Sequence, residues 1–256
     1  MGISPDGKQV AYWYQHRSKA GLAVMSSTGG NPRHVSEENG VGPIVWHGPD
    51  EVLFQRSSPD LPRALVLLHL KTGAVRPFFA GDLSASGHEW HYVPSRGEII
   101  YVSDRVSPEG RSFKAHSLGT GTTRTLATIP NLLTFRNTFQ VSPDGRHIAY
   151  GRWVDVGGQR VAEMRLRSIE GGEEKVLLPA GDESHEGWRP SGYPYAWAPH
   201  GSHVLYDRRG AAIQVLEIAT GATWPINGAE DDAIYEWGVV TWSPEGSFLA
   251  LTRYRK

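Results

Sequence analysis

Two histidines stand three apart in Gly87-His88-Glu89-Trp90-His91, and a third follows in Ser184-His185-Glu186-Gly187-Trp188. Imidazoles beside a carboxylate are the raw material of a metal centre or of acid–base catalysis. On a straight strand, however, residues i and i+3 face opposite sides. His88 and His91 therefore cannot share an ion unless the backbone bends between them. The chain has no cysteine, which removes thiolate nucleophiles, disulfides and Cys-based zinc or iron–sulfur centres. It has no Gly-x-Ser-x-Gly run, so these residues hold no nucleophile elbow. The expectation is a non-enzymatic chain with no catalytic residue, metal ligand or cofactor. What remains is binding chemistry: nine Trp, ten Tyr and seven Phe, several beside single charges. Such pairings suit peptide pockets and protein interfaces.

Bulk properties narrow the partners. Lys and Arg total 26 against 27 Asp and Glu, and no basic cluster stands out. That argues against an electrostatic grip on nucleic acid or on an anionic membrane. No apolar run is long enough to span a bilayer as a helix. Thirty Gly and seventeen Pro suit many turns and short strands.

The elements that position these side chains follow from one turn. In Val141-Ser142-Pro143-Asp144-Gly145-Arg146-His147-Ile148-Ala149-Tyr150, Pro143 presets the first corner and Gly145 takes the positive-φ position. An apolar strand follows. Six copies of this corner occur, centred on Pro5, Pro49, Pro94, Pro143, Pro199 and Pro244. Their period of roughly 45–55 residues signals a repeat architecture. A second, glycine-cornered hairpin follows the first five, at Gly29-Gly30, Thr72-Gly73, Thr120-Gly121, Gly171-Gly172 and Thr220-Gly221. Each unit thus holds four strands. The spacing predicts an all-β propeller of four-stranded antiparallel blades, with six repeats of which the first and last are incomplete. Residues 1–256 read as a single domain. Because the chain opens and closes inside a repeat, it is expected to be a piece of a longer polypeptide, or to pair its exposed blade edges with another chain. The alternative is a five-bladed ring in which a strand at Gly238–Trp242 completes the first blade.

In a propeller the first strand of each blade lines the channel, and the loop leading into it opens on one face. Those loops carry His88, Glu89 and Trp90; Phe135, Arg136 and Asn137; Tyr193 and Tyr195; and Tyr235, Glu236 and Trp237. The longest insertion, between Gly181 and Gly192, adds Trp188 and Arg189. The ligand-binding candidates at the channel mouth are therefore His88, Trp90, Arg136, Trp188, Arg189, Tyr193, Tyr235, Glu236 and Trp237. Trp46, Trp197 and Trp242, just before the corners, are expected to pack between blades. His147 and His203 occupy equivalent repeat positions and read as structural.

The turns at Ser4, Ser142 and Ser243, with the tail Val24-Met25-Ser26-Ser27-Thr28-Gly29-Gly30-Asn31-Pro32-Arg33-His34-Val35-Ser36, resemble the WD40-like Ser-Pro-Asp-Gly repeats of TolB-like propellers. The departures are Gly48, Val93 and Ala198-Pro199-His200-Gly201. The resemblance covers almost the whole chain. It implies the TolB-like propeller fold, a protein or peptide partner, and a bacterial periplasm or cell envelope. The same propeller serves as a binding module and as the substrate-filtering lid of prolyl-oligopeptidase-like serine peptidases, so fold does not select activity. Tyr235-Glu236-Trp237 is similar to the Tyr-Glu-Glu of the dipeptidyl-peptidase branch, but Trp237 replaces the second glutamate of its amine clamp. The His88 and His185 segments are similar to pieces of oligogalacturonate lyases, which are metal-dependent propellers.

Overall fold

The structure, a computed structural model, describes all residues except 17–18, 58–61, 85–86, 134–138, 181–192, 207–212, 227–239 and 252–256. Five antiparallel sheets of four strands follow one another. Blade I holds β1 (Gly2–Ile3), β2 (Gln9–His16), β3 (Lys19–Ser26) and β4 (Arg33–Ser36). Blade II holds β5 (Gly40–Trp46), β6 (Glu51–Arg56), β7 (Ala64–His69) and β8 (Val75–Ala80). Blade III holds β9 (Trp90–Val93), β10 (Glu98–Ser107), β11 (Gly110–Ser117) and β12 (Thr123–Ile129). Blade IV holds β13 (Phe139–Val141), β14 (His147–Val156), β15 (Gln159–Ser168) and β16 (Glu174–Leu178). Blade V holds β17 (Pro194–Trp197), β18 (His203–Tyr206), β19 (Gln214–Glu217) and β20 (Thr223–Pro225). Among the described residues the sixth repeat contributes β21 (Val240–Trp242) and β22 (Leu249–Leu251), paired with each other.

The fold is thus a propeller with five blades, not six. The first repeat is complete, because the two-residue β1 pairs Gly2 with Ala11 and Ile3 with Val10. Nor does β21 complete blade I. It pairs with β22 and sits between β17 and β1.

The corners hold as their chemistry demands. Ser142 Oγ donates to Asp144 Oδ1 at 2.6 Å and accepts the His147 amide at 2.9 Å, and Ser4 repeats this with Asp6 and Gln9. The Ala198 corner keeps the same backbone bonds without serine, Gly201 N to Ala198 O at 2.9 Å and Ala198 N to His203 O at 2.8 Å, whereas Pro94–Arg96 forms a single 3-10 turn closed by Gly97 at φ 61°.

Apolar strand faces meet between neighbouring blades, so the core is a ring of interfaces. Leu22 and Val24 meet Trp46 and Phe54. Leu65, Leu67 and Phe79 meet Trp90 and Tyr101. Phe113 and Ile100 meet Phe139 and Tyr150. Met164 meets Trp197 and Tyr206, and Ile213 and Val215 meet Trp242 and Leu249. Trp46, Trp197 and Trp242 pack between sheets, as expected from their places before the corners. Each fully buried aromatic or leucine contributes about 1.5–3 kcal/mol relative to exposure. Among the described residues, no helix is long and apolar enough to cross a membrane.

Candidate functional site

The first strand of each blade lies at one end of its sheet order, and β1, β5, β9, β13 and β17 together line a cavity of about 350 Å³. His88, Trp90, His91, Gln140 and Tyr195 face it together with Ile44 and Trp46. No Asp, Glu, Lys or Arg side chain occurs among its described lining residues.

Two glycines set the approach to β9. A Cβ on Gly42, at φ 81°, would sit 1.7 Å from the Gly87 carbonyl oxygen. One on Gly87, at φ 71°, would sit 2.1 Å from Val41 Cγ2. Only glycines allow this backbone contact. The chain then bends at Glu89, and β9 begins only at Trp90. His88 therefore precedes the strand, and both His88 and His91 reach the channel cavity. The straight-strand expectation that would separate them is corrected by this bend. Glu89, buried at the bend, lies 3.9 Å from Arg111 Nη1 on β11.

His91 Nε2 lies 3.1 Å from the Phe139 carbonyl oxygen. A carbonyl only accepts, so Nε2 carries the hydrogen and Nδ1 keeps its lone pair. Burial pulls the His91 pKa down to about 4, outweighing the opposite pull of this bond, so the ring is neutral near pH 7. Tyr193 is buried, and its hydroxyl lies 3.0 Å from that of Tyr195, whose ring faces the channel. Trp90 donates from Nε1 to the Gly87 carbonyl at 3.1 Å and belongs to the core between blades II and III, with one side on the cavity.

Of the residues singled out in the sequence, His88 and Trp90 line the channel together, and Tyr193 stands behind Tyr195. Arg136, Trp188, Arg189, Tyr235, Glu236 and Trp237 lie outside the described residues. His91 and Gln140 are functional candidates that strand periodicity alone misses. The signal for His91 was Gly87, a positive-φ glycine just ahead of the pair.

The mouth also has walls that the repeat pattern did not reveal. Strands β10, β11, β14 and β15 run to ten, eight, ten and ten residues and rise past their sheets. The approach segments pair with them: Leu83 bridges Ser103, Leu132 bridges Arg152, and the Trp153 amide donates to the Asn131 carbonyl at 2.9 Å. Val106 and Val156 stand near the tips, 66% and 52% exposed. Arg160 lies over the Trp153 ring at 5.3 Å, which stiffens the blade IV hairpin.

No protein-family model and no curated protein matches the sequence. Solved structures do. TolB from Acinetobacter baumannii superposes with a TM-score of 0.60 at 19% identity, over 86% of this chain and 52% of that one. The fold is a TolB-like β-propeller. It spans about half the length of that TolB chain. An oligogalacturonate lyase in complex with manganese gives 0.54 at 17% identity, over 97% of this propeller and 68% of that chain. A puromycin hydrolase S511A mutant gives 0.54 at 20% identity, over 85% and 37%.

Proposed function

We propose that this TolB-like propeller is a recognition module that binds a protein or peptide segment over its channel mouth. The observation that carries the reading is the convergence of His88, His91, Gln140 and Tyr195 on one cavity. His91 is held neutral by burial, Gln140 and Tyr195 are uncharged side chains on strands, and His88 approaches from the segment just ahead of β9. Neutral donors and acceptors on preorganised walls suit an uncharged polar or aromatic peptide tip, which loses little by leaving water if each polar group finds a partner. The raised hairpins of blades III and IV add area at the rim. In this reading Arg136, Trp188, Arg189, Tyr235, Glu236 and Trp237 supply further contacts from the approach loops.

The test is panning of phage-displayed random peptides on the purified chain, followed by binding to His88→Ala, Tyr195→Ala, Trp188→Ala and Trp237→Ala. Enriched peptides that lose affinity on these variants support the reading. Peptides that bind them all equally well contradict it.

A second reading is a substrate-gating propeller of a serine peptidase, with its catalytic domain outside these residues. The likeness to the puromycin hydrolase, of which the chain matches 37%, is what favours it. A nucleophile elbow in the gene beyond Lys256 supports this second reading. For a lyase-like metal site, no group of three His, Asp or Glu at metal-binding spacing occurs among the described residues. Stoichiometric divalent metal in the purified protein would revive that possibility.

A further inference from the structure

A second concave site lies away from the channel, in the crevice between blades II and III, with a volume of about 330 Å³. Its floor is Asp82, in the segment joining the two blades. Three side chains of blade III converge on this carboxylate: Tyr101 Oη donates at 2.9 Å, Lys114 Nζ at 2.8 Å, and Ser103 Oγ also donates. Tyr101, Ser103 and Arg105 alternate along β10, and Lys114 is the register partner of Tyr101 on β11. Oδ2 accepts two of these bonds and Oδ1 one, so most of the acceptor capacity of Asp82 is used within the crevice. The carboxylate neutralises Lys114.

Arg105 remains. It is exposed, lines the same crevice, and has no described side-chain partner. Its acidic neighbour Asp104 is engaged by Arg63 at 2.9 Å. The crevice thus offers one uncompensated guanidinium and the spare ammonium N–H groups of Lys114, with no described carboxylate free to compete. The walls are rings: His116 tilts against Phe79 at a centroid distance of 4.6 Å, and Tyr101 lies 5.4 Å from Phe79. His116 is steadied by Thr123 Oγ1 at 2.9 Å from Nδ1.

We infer that this crevice binds a carboxylate carried on a flat apolar body, the carboxylate on Arg105 and Lys114 and the body against Phe79 and His116. A guanidinium pairs with both oxygens of a carboxylate at once, and a charge-assisted pair of this kind discriminates strongly against a neutral isostere. The inference does not depend on the channel reading, since no lining residue is shared.

Sodium benzoate tests it by two-dimensional NMR titration at constant ionic strength. The expected result is saturable shifts centred on the amides of Gly81, Asp82, Arg105, Lys114 and His116. Arg105→Ala should weaken binding about tenfold or more, the loss expected for one charge-assisted hydrogen bond. Arg160→Ala removes the same charge on another blade and should leave it unchanged. Benzamide, without the charge, and acetate, without the ring, should each bind at least about tenfold more weakly. Shifts scattered over the surface, an affinity unmoved by Arg105→Ala, or equal binding of benzamide would overturn the proposal.

Discussion

The channel and the outer crevice are both concave, both lined by strands, and built on opposite electrostatic plans. In the channel, His91 is neutral and tied to a backbone carbonyl, and Tyr195 is tied to Tyr193. In the crevice, Asp82 and Lys114 form a charged pair beside Arg105, whose side chain has no partner among the described residues. The difference follows from place. The channel is lined by the first strands, whose neighbours crowd around the axis and strip water from any charge. The crevice opens at the outer part of the blades, where the strand faces of blade III still meet solvent and a charged pair keeps part of its hydration. A single propeller thus carries a channel lining without Asp, Glu, Lys or Arg among the described residues and an ionic crevice that shares no lining residue with it.

The largest effect should come from Gly87→Ala. A side chain there collides with Val41 at a positive φ, and the combined strain and crowding should cost about 2–5 kcal/mol. Urea unfolding measures the loss. In a variant that still folds, His88 and His91 resonances should move while those of Lys114 and His116 stay. Next comes Asp82→Asn, which leaves Lys114 facing a neutral amide and should cost about 1–3 kcal/mol. It should disturb the crevice and leave peptide binding at the channel unchanged. Ser142→Ala belongs to neither surface. Its corner lies at the opposite end of the blade, and loss of the hydroxyl that accepts the His147 amide should cost about 1 kcal/mol and alter neither site.

Acid separates the two surfaces by sign and window. His91 has a folded pKa near 4, below its ordinary 6.5, so between those values the unfolded chain binds the proton and the native one does not. Stability attributable to His91 therefore falls as pH drops from about 6.5 to about 4, and His91→Gln should flatten that slope. Asp82 behaves differently. Burial pushes its pKa up, but hydrogen bonds from Lys114, Ser103 and Tyr101 outweigh this and hold it below its ordinary value of 3.8. Its contribution is intact above that value and is lost as pH falls through the folded pKa, so Asp82→Asn should alter only the most acidic part of the profile. Unfolding curves across pH for the two variants check both statements.

How much was legible in the sequence follows the same division. Proline and glycine corners fix local φ, so the strand order of each blade could be read directly. The blade count could not. Gly2–Ile3 is too short to announce itself as a strand, and its pairing with Val10 and Ala11 depends on the whole blade. His88 and Trp90 were legible as channel residues because topology alone places the approach loops. His91 was not, because strand periodicity assumes no bend, and the Gly42–Gly87 contact that makes one joins two blades. The crevice was invisible for a related reason. Asp82 sits in a connecting segment, and its three donors come from two strands of the next blade.

The most direct measurement is the affinity of channel-selected peptides for Tyr195→Ala compared with Arg105→Ala. The account predicts that binding collapses on the first variant and is unchanged on the second. Equal affinity for the unmodified chain and Tyr195→Ala, or a loss confined to Arg105→Ala, would contradict it.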